Sequence, residues 1–155
     1  MLSRALTVTG AEDLRLRLAN TADAADLLRW RNDDDTRKFS LHREVVTWSA
    51  HLDWLSRVLR DDNTELYVAE TAGLPAGTVR IDHRNGVKEL SWTVAPECRG
   101  RGLGSLIVGM AVQRTAPPLF ARIHPLNDAS RRIAAKTGFV EVGDEDGWSL
   151  WCREL

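Results

Sequence analysis

The run Arg99-Gly100-Arg101-Gly102-Leu103-Gly104 sits where a strand-like segment passes directly into a helix-like one. A strand that enters a helix through glycines leaves first-turn N–H groups unclaimed at the positive end of the helix dipole, with little side-chain bulk to hold an anion away. Arg99 and Arg101 add positive charge suited to a pyrophosphate or a phosphorylated ribose. The spacing is Gly-x-Gly-x-Gly, unlike the dinucleotide fingerprint, and no Lys-Ser/Thr pair follows as in a P-loop. By itself the turn reads equally as an anion cradle or as an ordinary strand-helix turn with solvated arginines.

A second group of chemically capable residues lies just upstream. Asn85-Gly86 is the dipeptide preferred in a two-residue type I′ turn, because both central positions need positive φ. Such a turn sets Asp82 opposite Glu89, His83 opposite Lys88 and Arg80 opposite Ser91. One face then gathers Arg80, Asp82, Glu89 and Ser91, while Val79, Ile81, Leu90 and Trp92 turn to the core. Two opposed carboxylates repel, which makes one of them a better proton acceptor unless Arg80, lying diagonally, compensates. Cys98 and Cys152 with His42, His51, His83 and His124 show no metal-ligand spacing, so no metal is expected. Cys98 has no visible His-Asp pairing to activate it as a nucleophile.

These groups are placed by a recognisable series of elements. Residues 1–13 read as an extension or a short leading strand, and LRLRLA at 14–19 alternates as a half-buried strand does. ADAADLLRWRN follows as a helix behind a Thr21 cap, and NDDDTRKFSLHREVV as an exposed loop of mixed charge. Thr47 opens a helix with Trp48, Leu52, Leu55 and Leu59 on its apolar face. TELYVAE, AGTVRIDH and KELSWTV are strands, GLGSLIVGMAVQRT a helix, LFARIH a strand and NDASRRIAAKTGF a helix capped by Asn127 or Asp128 and closed by Gly138. FVEVG and WSLWCREL finish as strands. The order is that of an α/β protein of the α+β kind: one domain over 1–155, with a mixed, mainly antiparallel seven-stranded sheet flanked by helices.

The stretch LSWTVAPECRGRGLGSLIVGMAV resembles the acyl-CoA-binding segment of the GCN5-related N-acetyltransferases (GNATs), with Arg99, Gly102 and Gly104 at the defined positions of its Gln/Arg-x-x-Gly-x-Gly/Ala pattern. The run from Asn127 through Ser130 to Gly138-Phe139 is similar to a second signature of that family, and the resemblance spans roughly residues 14–153. It implies that acetyl-CoA lies where two strands splay apart, with its pantetheine on the backbone of Trp92, Thr93 and Val94. Its pyrophosphate would rest on the amides of Arg99, Gly100, Arg101, Gly102, Leu103, Gly104 and Ser105, and Asn127 and Ser130 would lie near the thioester. The implied reaction is direct attack by an amine through a tetrahedral intermediate, which needs a base, an oxyanion donor and an acid. Glu89 occupies the position where the family often places its base, with His124 as the alternative. The family's acid, a Tyr seven residues after the Asn, is Ala134 here, so the thiolate leaves through Ser130, through water or unprotonated.

Composition bounds the acceptor and the setting. Twenty-one basic and 22 acidic residues leave a formal charge of -1, which argues against a nucleic-acid partner held by global charge. No apolar run approaches the ~18 residues of a membrane span, so a cytoplasmic address and no membrane contact are expected. Freeing a lysine amine near neutral pH costs roughly 4 kcal/mol against about 1 for an α-amine. A site with no obvious strong base therefore suits α-amines, and amino-sugar amines fit the same reasoning. Trp30-Arg31-Asn32 and His51-Leu52-Asp53-Trp54 resemble segments of transferases that acetylate nucleotide-linked amino sugars, a pattern shared in part with ribosomal-protein N-terminal acetyltransferases. The resemblance implies a small-molecule amine, UDP-linked or otherwise, bound by Arg31, Asn32, His51, Arg80 and Asp82, with Arg37 also near a nucleotide pyrophosphate. The chain would act as a monomer or a homodimer.

Overall fold

The computed structural model describes residues 13–154; the leading extension expected over residues 1–13 lies outside them except for Asp13. A seven-stranded sheet has the order β1-β2-β3-β4-β5-β7-β6, all pairs antiparallel except β4 with β5. Its strands are β1 (Leu14–Leu18), β2 (Thr64–Thr71), β3 (Leu74–Arg84), β4 (Val87–Val94), β5 (Leu119–Ile123), β6 (Val140–Glu145) and β7 (Trp148–Arg153). Helices α1 (Ala24–Asn32) and α3 (Trp48–Arg60) cover one face around Leu27, Trp30, Leu55, Leu66 and Val68. Helices α4 (Leu103–Arg114) and α5 (Asp128–Lys136) cover the other, over Val79, Ile81, Leu90, Leu119 and Ala121. Helices on both faces leave the middle strands with two buried sides, the arrangement a sheet containing a parallel pair requires.

The hairpin is as its turn dictates. Asn85 and Gly86 both take positive φ (53° and 75°), and the register sets Asp82 against Glu89 and Arg80 against Ser91. Val79, Ile81 and Leu90 are fully buried under α4.

Three expectations are corrected. The mixed-charge run 32–46 is not all loop: Asp34–Lys38 forms a short helix, α2, whose first turn carries Asp34 and Asp35 and whose last carries Arg37 and Lys38. That order of charge matches the helix dipole, and the Asp33 side chain accepts from Thr36 N–H to cap it. Thr21 does not cap α1. Asn20 instead caps a single 3-10 turn over Thr21–Asp23, and Asp23, 5% exposed, accepts from both terminal nitrogens of the Arg17 guanidinium. On α3 the expected apolar stripe is only partly inward. Leu55 is buried, but Trp48, Leu52 and Leu59 are exposed, and His51 takes the inner position instead. The helix is turned toward a second row, with Trp54 and Val58 packed beside Leu55 against the same cluster, and the spacing of 48, 52, 55 and 59 does not by itself choose between the two rows.

Candidate active site

The site is built on a gap in the sheet. β4 and β5 run parallel and pair only at Lys88 with Leu119 and Glu89 with Phe120. Beyond that point they diverge, so residues 91–94 of β4 carry backbone groups with no partner on the β5 side. The divergence follows from what comes next on each strand. β4 continues through Pro96–Cys98 into the glycine turn, while β5 ends at Ile123 and turns through His124-Pro125 toward α5.

Two cavities open on this gap, one on each side. The first, about 690 Å³, lies against α1, α3 and the segment after α2; the second, about 640 Å³, lies against α4 and α5. They meet at a common wall formed by Thr36, Phe39, Ser40, Trp92, Thr93, Asn127 and Ser130. Such a passage suits a long flexible carrier entering from one side and a compact acceptor entering from the other.

The second cavity is the one the glycine turn serves. Gly100 and Gly102 adopt φ of 76° and 75°, which a Cβ would strain. Gly102 caps α4 with no side-chain hydrogen bond, leaving the helix's first N–H groups unclaimed, and α4 has twelve residues of aligned dipole behind them. Gly104 has a different reason to lack a side chain: a Cβ there would stand 2.4 Å from Ile133 Cδ1 and 3.2 Å from Val94 Cγ2, so it lets α4 pack closely against α5 and β4. Lys38, Arg132 and Lys136 bring positive charge to the same cavity. Unclaimed amides, open glycines and a cationic rim together fit a pyrophosphate and a phosphorylated ribose.

Most residues assigned to the carrier line this cavity: Trp92, Thr93, Val94, Gly100, Gly102, Leu103, Gly104, Ser105, Asn127 and Ser130. Two arginines behave otherwise. Arg101 is exposed and does not line it. Arg99 lines it but spends its guanidinium on Asp33 Oδ2 at 2.9 Å and Thr36 Oγ1 at 3.0 Å, tying the glycine turn to the start of α2. Asn127 caps α5, its Oδ1 accepting the Ser130 N–H at 3.1 Å, while the Ser130 hydroxyl makes no hydrogen bond within the described residues.

Of the residues assigned to acceptor chemistry, Glu89, His124, Arg31, Arg80 and His51 line the larger cavity. Asp82 does not, and it accepts instead from Arg80 Nε at 2.9 Å and Thr64 Oγ1 at 3.1 Å. Asn32 does not either. Its amide donates to Val46 O at 2.9 Å and accepts from Val46 N at 2.8 Å, clamping the segment that roofs the cavity. His51, 3% exposed, holds α3 to α1 through Nε2 and Ala24 O at 2.9 Å, and burial pushes its imidazole below the ordinary value. The expected repulsion between Asp82 and Glu89 is compensated twice, by Arg80 on one carboxylate and by Arg122 on the other, the latter through two bonds of 3.1 Å. Glu89 is still the one carboxylate in the larger cavity's wall.

Sequence reasoning missed Arg122, Trp148 and the wall residues Thr36, Phe39 and Ser40. Arg122 was legible as an outward residue of a short strand, but its pairing with Glu89 depends on the parallel register of β4 with β5, which no local pattern encodes. Cys98 is half-buried, and burial first, then Glu97, raises its thiol, which disfavours a nucleophilic thiolate.

Comparison with known proteins agrees with this geometry. A search of curated proteins by sequence gives no match. Among solved structures the chain is similar to RimL, a ribosomal-protein α-N-acetyltransferase in complex with coenzyme A (TM-score 0.81, 13% identity, 96% of each chain covered). It is also similar to AAC(6')-Ib in complex with ribostamycin and coenzyme A (TM-score 0.79, 22% identity, 92% of this chain and 93% of that one). Spermidine N-acetyltransferase from Vibrio cholerae, in complex with CoA and spermine, gives a TM-score of 0.78 at 16% identity, covering 91% of this chain and 94% of that one. At these identities the likeness is one of fold. The model of the acetyltransferase (GNAT) domain matches residues 13–140, most of the described chain, and with the splayed strands and the uncapped, glycine-led α4 it shows that this chain belongs to the GNAT acetyltransferase family.

Proposed function

We propose that this acetyl-CoA-dependent N-acetyltransferase acetylates a small primary amine that also carries an anionic group, of which a nucleotide-linked amino sugar is one example. The observation that carries the reading is the charge of the larger cavity. Arg80 and Arg122 in its wall have carboxylate partners, but Arg31 has none: its Nη2 donates to the His42 carbonyl oxygen, and its Nη1 is buried without a partner. Burial first, then Arg37, pushes the Arg31 guanidinium below its ordinary value, against the opposing pull of the Glu44 carboxylate. A half-buried guanidinium with one nitrogen buried and unpartnered, and with Glu44 only beyond ion-pair distance to balance it, disfavours a polycationic acceptor and favours one that brings an anion.

Acetyl-CoA would supply an activated acetyl group, the α4 amides being placed to hold its diphosphate and the free backbone of residues 92–94 its pantetheine. Glu89 takes the proton from the amine, directly or through water. Ser130 presents a hydroxyl proton where the two cavities meet, in place of the hydroxyl that Ala134 lacks. An amine of modest basicity suits a carboxylate already paired with an arginine. The two unpaired cysteines, Cys98 and Cys152, accord with a reducing, cytoplasmic setting.

The test is thiol release from acetyl-CoA with a panel of acceptors: UDP-linked amino sugars, amino acids, peptides with free N-termini, spermidine and an aminoglycoside. Anion-bearing amines are expected to give the highest kcat/KM, and Arg31→Met to raise their KM several-fold with kcat little changed. Preference for spermidine or the aminoglycoside overturns the anionic acceptor, and silence with every amine overturns the functional reading as a whole.

A further inference from the structure

His124 lines the larger cavity and not the smaller, so it faces the acceptor and not the carrier. Its ring stands between Phe39, 5.3 Å away by centroid, and Trp148, 5.5 Å away and edge-on. Its Nδ1 accepts the backbone N–H of Leu126 at 3.1 Å. That bond settles the proton's place. A neutral imidazole has one N–H and one lone pair, and with the lone pair of Nδ1 committed to Leu126 the proton sits on Nε2. Moving it to Nδ1 would set two N–H groups against each other and leave the Leu126 donor without an acceptor.

We infer that His124 serves this site as an N–H donor to an oxygen atom of the amine acceptor, and so fixes the acceptor's orientation and identity without accepting its proton. The inference rests on the reading that the larger cavity receives the acceptor. The reacting amine is not the partner of Nε2–H, since a hydrogen bond to its lone pair would occupy the electrons that attack. A hydroxyl, carboxylate or phosphate oxygen beside the amine is. Proton acceptance falls to Glu89, the cavity's carboxylate.

His124→Phe keeps an aromatic ring between Phe39 and Trp148 but removes the donor, together with the Nδ1 acceptor of the exposed Leu126 N–H, whereas His124→Gln supplies a side-chain N–H without a usable base. For an acceptor the wild type turns over, the Phe variant is expected to raise KM about tenfold, the scale of one lost hydrogen bond, with kcat within about twofold. The Gln variant should recover most of the loss. Both variants should keep the thermal shift that acetyl-CoA produces in the wild type, showing the fold and the carrier cavity intact. In the free protein, 15N NMR of the imidazole should show Nδ1 without a proton and Nε2 with one. A Gln variant as impaired as the Phe variant, a Phe variant as efficient as the wild type, or a protonated Nδ1 in the neutral ring each overturns the inference. A wild type inactive on every amine instead overturns the functional reading, and this inference with it.

Discussion

At the scale of single residues, the site is decided by which partner each charge finds. Asp82 and Glu89 face each other across β3 and β4 as the hairpin turn requires, yet only Glu89 reaches the acceptor cavity, and it does so paired with Arg122. Glu89→Gln keeps the size and removes the proton acceptor, so kcat with the preferred amine should fall at least a hundredfold, the usual scale of general-base catalysis, while the acetyl-CoA thermal shift stays unchanged. Steady-state kinetics across pH checks this, and a variant as fast as the wild type throughout would remove Glu89 from the base role. His51 gives a stability prediction. Its folded pKa lies below the ordinary 6.5 because burial disfavours the charged ring, so the unfolded chain binds more protons in between. Stability is therefore full above pH 6.5 and is lost as pH falls from there toward the lower folded value. Urea melts at pH 7.5 and 5 should show that loss in the wild type and less of it in His51→Gln.

At the scale of elements, the glycine turn and α2 act together. In the sequence Gly100, Gly102 and Gly104 share one purpose, an opening for an anion, but the structure separates them: Gly100 and Gly102 supply positive φ at the anion cradle, while Gly104 supplies room between helices. Gly104→Ala should force the end of the Ile133 side chain to move and crowd Val94, and the strain, set against the better helix propensity of Ala, should leave a net cost of about 1 kcal/mol. Because α5 carries Asn127 and Ser130 at the junction, KM for acetyl-CoA should rise as well. Thermal melts and a coenzyme A titration read the two effects, and a variant with unchanged Tm would show that Ile133 yields freely. Arg99 links the same turn to Asp33 and Thr36, so the wall shared by the two cavities is held from the carrier side. This link was not legible in the sequence, because a run of acids and bases reads as a solvated loop until a distant arginine gives it a reason to coil.

At the scale of the whole molecule, function depends on β4 and β5 pairing at one end and parting at the other, with helices on both faces walling the gap. If the carrier fills that gap, acetyl-CoA at one hundred times its Kd should stabilise the fold by about 2.7 kcal/mol. For a chain of this size Tm should then rise by about 2–4 °C for each kcal/mol, which differential scanning fluorimetry measures. The absence of any shift at millimolar acetyl-CoA would contradict the assigned cavity. Alternation, turn chemistry and capping residues act between near neighbours, and so the sequence by itself determined the strands, the Asn85-Gly86 hairpin with its register, the glycine-led start of α4 and a cap for α5 at Asn127 or Asp128, between which the structure chose Asn127. Only the tertiary structure decided that Arg122 meets Glu89, that Arg99 serves α2, that His51 and Asn32 brace the cavity, and which edge of α3 faces inward. Those outcomes depend on contacts between segments tens of residues apart, whose energies exist only once the sheet has closed in one register and the helices have settled on it.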